Sequence, residues 1–187
     1  MSLQISIELS DKDLDYFRAA LNQAQSDYAH LSDQQVIAKA SSLLESQAGT
    51  EQPEFVTSRF ANLRVLVEML EDSEWQIPAD HAEDVIAALR YFAEPKDLIP
   101  DDIPVFGFLD DAIMVDLVSQ GLEAEIDAFR EFCTFRTAEE TRHTGSDVSR
   151  EDWLAAKRME LHSRMRHRRR SRGRRGRVPR GTGFSLF

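Results

Sequence analysis

The run Asp97-Leu98-Ile99-Pro100-Asp101-Asp102-Ile103-Pro104-Val105-Phe106-Gly107-Phe108-Leu109-Asp110-Asp111 is the most constrained stretch of this chain. Pro100 and Pro104 fix φ at two points and remove two N–H donors. Gly107 can take a positive φ just ahead of a helix. Leu98, Ile99, Ile103, Val105, Phe106, Phe108 and Leu109 are too apolar to be left in water, so the segment must pack on a core. Asp110 and Asp111 stand where a helix begins, and carboxylates there complement free N–H groups and the helix dipole. The run therefore predicts a rigid turn joining two helices, with a carboxylate-rich apex.

Apolar residues at three- and four-residue steps predict helices on both sides of it. Upstream, Pro78 and Asp80 open a helix that buries Val85, Leu89 and Phe92, and Pro95 ends it. Before that, Val56, Phe60, Leu63, Val67 and Leu70 make a stripe that starts near Pro53. Ser32 and Gln35 form a capping box ahead of Val36, Ala40, Leu43, Leu44 and Gln47, and that helix ends at Gly49. Ser10 and Asp13 cap a first helix carrying Leu14, Phe17, Leu21, Ala24 and Tyr28. Downstream, Ile113, Met114, Leu117 and Val118 form a buried face, and Gly121 allows a break. Leu122, Ile126, Phe129 and Cys133 then give a last stripe ending near Arg136.

The fold class is all-α: a compact bundle of about six helices over residues 10–138, containing the Pro/Gly/Asp-rich hairpin at about 85–135. Residues 1–9 alternate, with Leu3, Ile5, Ile7 and Leu9 apolar, which predicts a short extended arm. A lone strand is rarely stable, so the arm either packs along the helices or pairs with a second copy. Residues 139–152 read as a linker, and residues 153–187 as a basic tail. At the end of the linker, Ser149 and Asp152 mark a possible helix start, and Trp153, Leu154, Leu161 and Met165 in the tail are weakly amphipathic.

The net charge of −10 hides a division. From Trp153 onward there are 12 basic residues and one acid, Glu160, a net +11; the preceding 11 basic and 32 acidic residues leave −21. Cys133 is the single cysteine, so no intramolecular disulfide framework exists. The first residues lack the basic and apolar regions of a signal peptide. No window of about 18 apolar residues is present. The expectation is a soluble cytoplasmic protein without integral membrane insertion.

The run at 97–111 resembles the YkvA-like family, a bacterial domain of unknown function. The shared pattern is D-L-I-P-D, an apolar residue, I-P, two residues, G, one residue, L-D-D. Asp102 departs from it, because the family often has a bulky apolar residue there. The resemblance covers about residues 85–135 and implies a helical hairpin, with no established reaction.

Asp97, Asp101, Asp110 and Asp111 offer hard oxygen ligands suited to Mg²⁺, Mn²⁺ or Ca²⁺. The competing reading gives the same carboxylates to capping and turn hydrogen bonds, with no cofactor. His30, His81, His143, His162 and His167 show no zinc spacing, and no P-loop, G-x-S-x-G or G-x-G-x-x-G is present. His81 at a helix start and Cys133 beside Phe129 and Phe132 read as structural. No catalytic residue is assigned.

Ten arginines lie between residues 164 and 180: Arg164, Arg166, Arg168, Arg169, Arg170, Arg172, Arg174, Arg175, Arg177 and Arg180. Charge this dense repels itself, which predicts disorder in the unbound chain. Guanidinium donors match phosphate, and no aromatic residue interrupts the run, so contact with RNA or DNA would be backbone-led. Three partners are open: nucleic acid or another polyanion, an anionic membrane surface, and the chain's own acidic body or a second copy. The expectation is a non-enzymatic binding protein acting through this tail, against a metal-dependent enzyme centred on the hairpin aspartates and a peripheral membrane protein.

Overall fold

A computed structural model describes residues 8–47, 53–93, 108–142 and 150–175. Among them are seven α-helices, one 3₁₀ turn and no strand. The helices are α1 (Asp11–Asp27), α2 (Asp33–Gln47), α3 (Glu54–Glu71), α4 (Ala79–Leu89), α5 (Leu109–Gly121), α6 (Glu123–Arg142) and α7 (Arg150–Arg175), with the 3₁₀ turn at Arg90–Ala93. The all-α class stands. Residues 1–7 of the expected arm, the segment 94–107 with Asp97 and Asp101, where the sequence predicts a turn, the segments 48–52 and 143–149, and residues 176–187 lie outside the described residues.

The starts of α1 and α2 follow from local chemistry. The Ser10 N–H donates to Asp13 Oδ2 at 2.9 Å while Asp13 N–H reaches Ser10 Oγ at 3.4 Å. Ser32 and Gln35 repeat the reciprocal pair at 2.9 and 3.3 Å. Each box satisfies amide donors that a helix start leaves open. Pro53 and Pro78 precede α3 and α4 without a side-chain cap.

Helix α3 is the spine, packing against α2, α5 and α6. Contact on several sides explains why Leu66 and Met69 are buried besides the expected Val56, Phe60, Leu63 and Val67, while Leu70 is only partly covered. In α5, Met114, Leu117 and Val118 are buried and Ile113 is partly so. The chain breaks after Gly121, as expected, and α6 starts two residues later. Helix α6 continues to Arg142, beyond the expected end near Arg136. Glu139 is still buried there, so the packed surface extends past the apolar stripe.

Trp75 carries no periodic signal, yet it is fully buried in the connection between α3 and α4. Asp72 shapes that connection: its Oδ1 accepts from the amides of Glu74 and Trp75 at 2.9 and 2.8 Å. The indole meets Phe129 and Phe132 of α6, and the His162 ring of α7 stands edge-on at 4.5 Å. Aromatic packing around one loop residue thus joins α6 and α7 to the bundle.

Candidate nucleic-acid interface

Helix α7 runs through the first part of the arginine-rich sequence. The sequence predicts loose chain from Arg164, whereas residues 164–175 extend the helix. The physical reason lies on its inner face. Leu154, Leu161 and Met165 fall at seven- and four-residue steps and are buried. Burying side chains of this kind stabilises by about 1.5–3 kcal/mol each, enough to hold the helix on the body.

Charge pairing flanks this apolar seam. Arg150 reaches Glu74 Oε1 at 2.6 Å, and Arg158 donates to the Glu74 carbonyl at 2.9 Å. Arg136 of α6 binds both Asp72 and Glu74, at 2.7 and 3.0 Å. Hydrogen bonds from Arg150, with Arg136 adding to them, hold the Glu74 carboxyl below the ordinary range. Glu131 of α6 takes Lys157 at 2.8 Å and Arg164 at 2.7 Å, and its carboxyl is likewise drawn down, mainly by Lys157. One turn before Glu131, Asp127 takes Arg168 at 3.4 Å. Arg169 lies 2.8 Å from Asp84 and 3.5 Å from Asp80, and donates to the Asp80 carbonyl.

The arginines of α7 therefore divide. Arg164, Arg168 and Arg169 point back to carboxylates of the body. Arg166 and Arg170 stand four residues apart on the outer face, exposed and without an ion-pair partner among the described residues. That spacing is about 6 Å along a helix. Arg172, Arg174 and Arg175 continue the helix, and Arg177 and Arg180 lie outside the described residues. The outer face also carries His167 and Ser163, and Met159 one turn earlier is 69% exposed.

Between α6 and α7 is an open groove of about 260 Å³. Ala124, Ala128 and Met165 form part of it, and its charged residues are Asp127, Glu131, Arg164 and Arg168. Those charges are paired across it, so it has no net charge with which to draw a small ion.

The other expected site residues are less assembled. Asp110 and Asp111 are buried in the first turn of α5. Asp97 and Asp101 lie outside the described residues, and among the described residues no group of three or more His, Cys, Asp or Glu is placed to hold a metal ion. Cys133 is half-buried, and burial pushes its thiol up, away from the nucleophilic form. His81 is fully buried, with Nδ1 2.7 Å from Glu125 Oε1. No described helix is long and apolar enough to cross a membrane.

The acidic seat of α7 was missed at the level of individual pairs. The available signal was the i, i+4 spacing of Asp80 with Asp84 and of Asp127 with Glu131, which aligns carboxylates on one helix face.

Residues 85–117 match the model of a family described as "Protein of unknown function (DUF1232)". The match runs from within α4 to most of α5, so this part of the chain is similar to a domain family without an assigned function. Neither the comparison with curated proteins nor that with solved structures found a match.

Proposed function

We propose that this chain is a non-enzymatic binding protein that presents the outer face of α7 to the phosphate backbone of nucleic acid. The observation that carries this reading is the pair Arg166 and Arg170, exposed on one face while their neighbours are neutralised from beneath. A helix braced by its inner side offers two guanidiniums in fixed relation, and guanidinium suits phosphate. The arginine run contains no aromatic residue on which bases could stack, so recognition is backbone-led and sequence-tolerant. The body, rich in acids, adds repulsion and keeps contact local to the helix. In the same reading, the YkvA-like run at 97–111 takes no part in binding.

The test is anisotropy of a labelled short DNA duplex titrated with the full chain over a range of salt. Wild type should bind with a log K that falls linearly with log salt. The double variant R166Q/R170Q should make that slope shallower by about 1.8, at about 0.9 per phosphate contact, with circular dichroism unchanged. Equal slopes for wild type and variant overturn the reading. So does binding to vesicles containing anionic lipid without binding to the duplex, which would assign the face to a membrane surface.

A further inference from the structure

We propose that Asp80, Asp84 and Asp127 compete with nucleic-acid phosphates for Arg168 and Arg169, so that the part of α7 beyond Met165 is a latch held closed by the protein's own body. This rests on the reading of α7 given above and adds the residues that limit it.

The argument begins with where apolar anchoring ends. Leu154, Leu161 and Met165 are buried at 4%, 0% and 1% exposure, and no buried apolar residue follows them among the described residues. Among the described side chains past Met165, Arg168 and Arg169 meet the body through ion pairs and a hydrogen bond to the Asp80 carbonyl. Arg168 and Asp127 are 51% and 54% exposed in their side chains, and Arg169 and Asp80 are 45% and 57% exposed. Ion pairs this open to water are weak and are screened by salt. The first part of α7 is therefore fixed by packing, whereas Arg168 and Arg169 make contacts that another anion can replace.

The replacement is chemically matched. A phosphate oxygen accepts the same guanidinium donors as a carboxylate oxygen, and a nucleic-acid strand offers many in a row. Asp84 sharpens the exchange. It is the most covered of the three carboxylates, and burial pushes its carboxyl up while Arg169 pulls it down. Its charge is tolerated largely because Arg169 is there. Neutralising Asp84 removes a partly desolvated charge and frees the arginine without emptying core volume. Closed, the latch leaves Arg166 and Arg170 for a first contact; open, it adds Arg168 and Arg169.

The test is the same duplex titration with the full chain carrying D80N/D84N/D127N. A control chain carries D11N/D33N/E45Q, which makes an equal charge change at exposed positions of α1 and α2. The latch predicts tighter binding by the seat variant and a slope steeper than wild type by about 1.8, for two added phosphate contacts. The control should keep the wild-type slope. If seat and control variants steepen equally or not at all, the latch is overturned, and the outer-face reading is judged separately by R166Q/R170Q. If no chain, the seat variant included, binds the duplex in a salt-dependent way, both fall.

Discussion

Nδ1 of His81 lies 2.7 Å from Oε1 of Glu125, and this buried hydrogen bond joins α4 to α6 across 44 positions of sequence. The imidazole N–H donates and the carboxylate accepts, which fixes the ring. Nε2 of His81 is buried without a hydrogen-bond partner among the described residues. The pair therefore depends on Glu125 for the only hydrogen bond described for either ring nitrogen. Glu125→Leu should lower stability by about 2–4 kcal/mol, since it strands a buried imidazole. Urea denaturation of both chains checks this, and the double variant H81L/E125L should recover part of the loss.

The connection holding Trp75 invites two opposite changes. Asp72→Ala removes the acceptor for two amides and one partner of Arg136, and should cost about 1–2 kcal/mol. Gln76 sits at φ 48°, a left-handed conformation that a side chain disfavours. Gln76→Gly should raise stability by up to about 1 kcal/mol, because glycine adopts that conformation freely. Thermal midpoints of the two variants should move in opposite directions.

His162 makes stability depend on pH. Burial, reinforced by Arg158, Arg166 and His81, lowers its pKa from 6.5 to about 4. In the unfolded chain it titrates at its ordinary value, so between about 6.5 and 4 the unfolded state binds a proton that the folded state refuses. Stability is complete above that window and falls as pH drops through it, by about 3 kcal/mol in all. His162→Gln should flatten the upper part of this decline. Glu74 and Glu131, whose carboxyls lie below the ordinary range, contribute losses only at lower pH, as they become protonated. Denaturation at pH 7, 6 and 5 separates the two effects.

The hairpin carboxylates are tested by thermal melts with Mg²⁺, Mn²⁺ or Ca²⁺. A cation bound only by the folded chain raises the midpoint. Asp110 and Asp111 sit in the first turn of α5, where carboxylates suit the helix dipole, so the expected outcome is an unchanged midpoint. A rise abolished by Asp111→Asn would instead assign Asp97, Asp101, Asp110 and Asp111 to a metal site.

Periodicity and capping chemistry are local, and they were legible. Ser10 with Asp13 and Ser32 with Gln35 announce two helix starts within four residues each. The stripes of α3 and α5 announce which faces are buried, and the break after Gly121 falls where glycine permits it. The abundance of arginine after residue 163, and its division from the acidic body, need no coordinates either.

Pairing across the chain was settled by the folded arrangement alone. Arg169 meets Asp84 from 85 positions away, and Glu74 gathers Arg136 and Arg150 at once. Trp75 is central only because α6 and α7 close over a loop with no repeating pattern. A run of arginines repels itself when considered in isolation. Seated by Leu154, Leu161 and Met165 beside fixed carboxylates, its described part is a helix on which Arg164, Arg168 and Arg169 are paired and Arg166 and Arg170 are exposed, because apolar burial supplies the ordering energy and the opposite charges remove the repulsion.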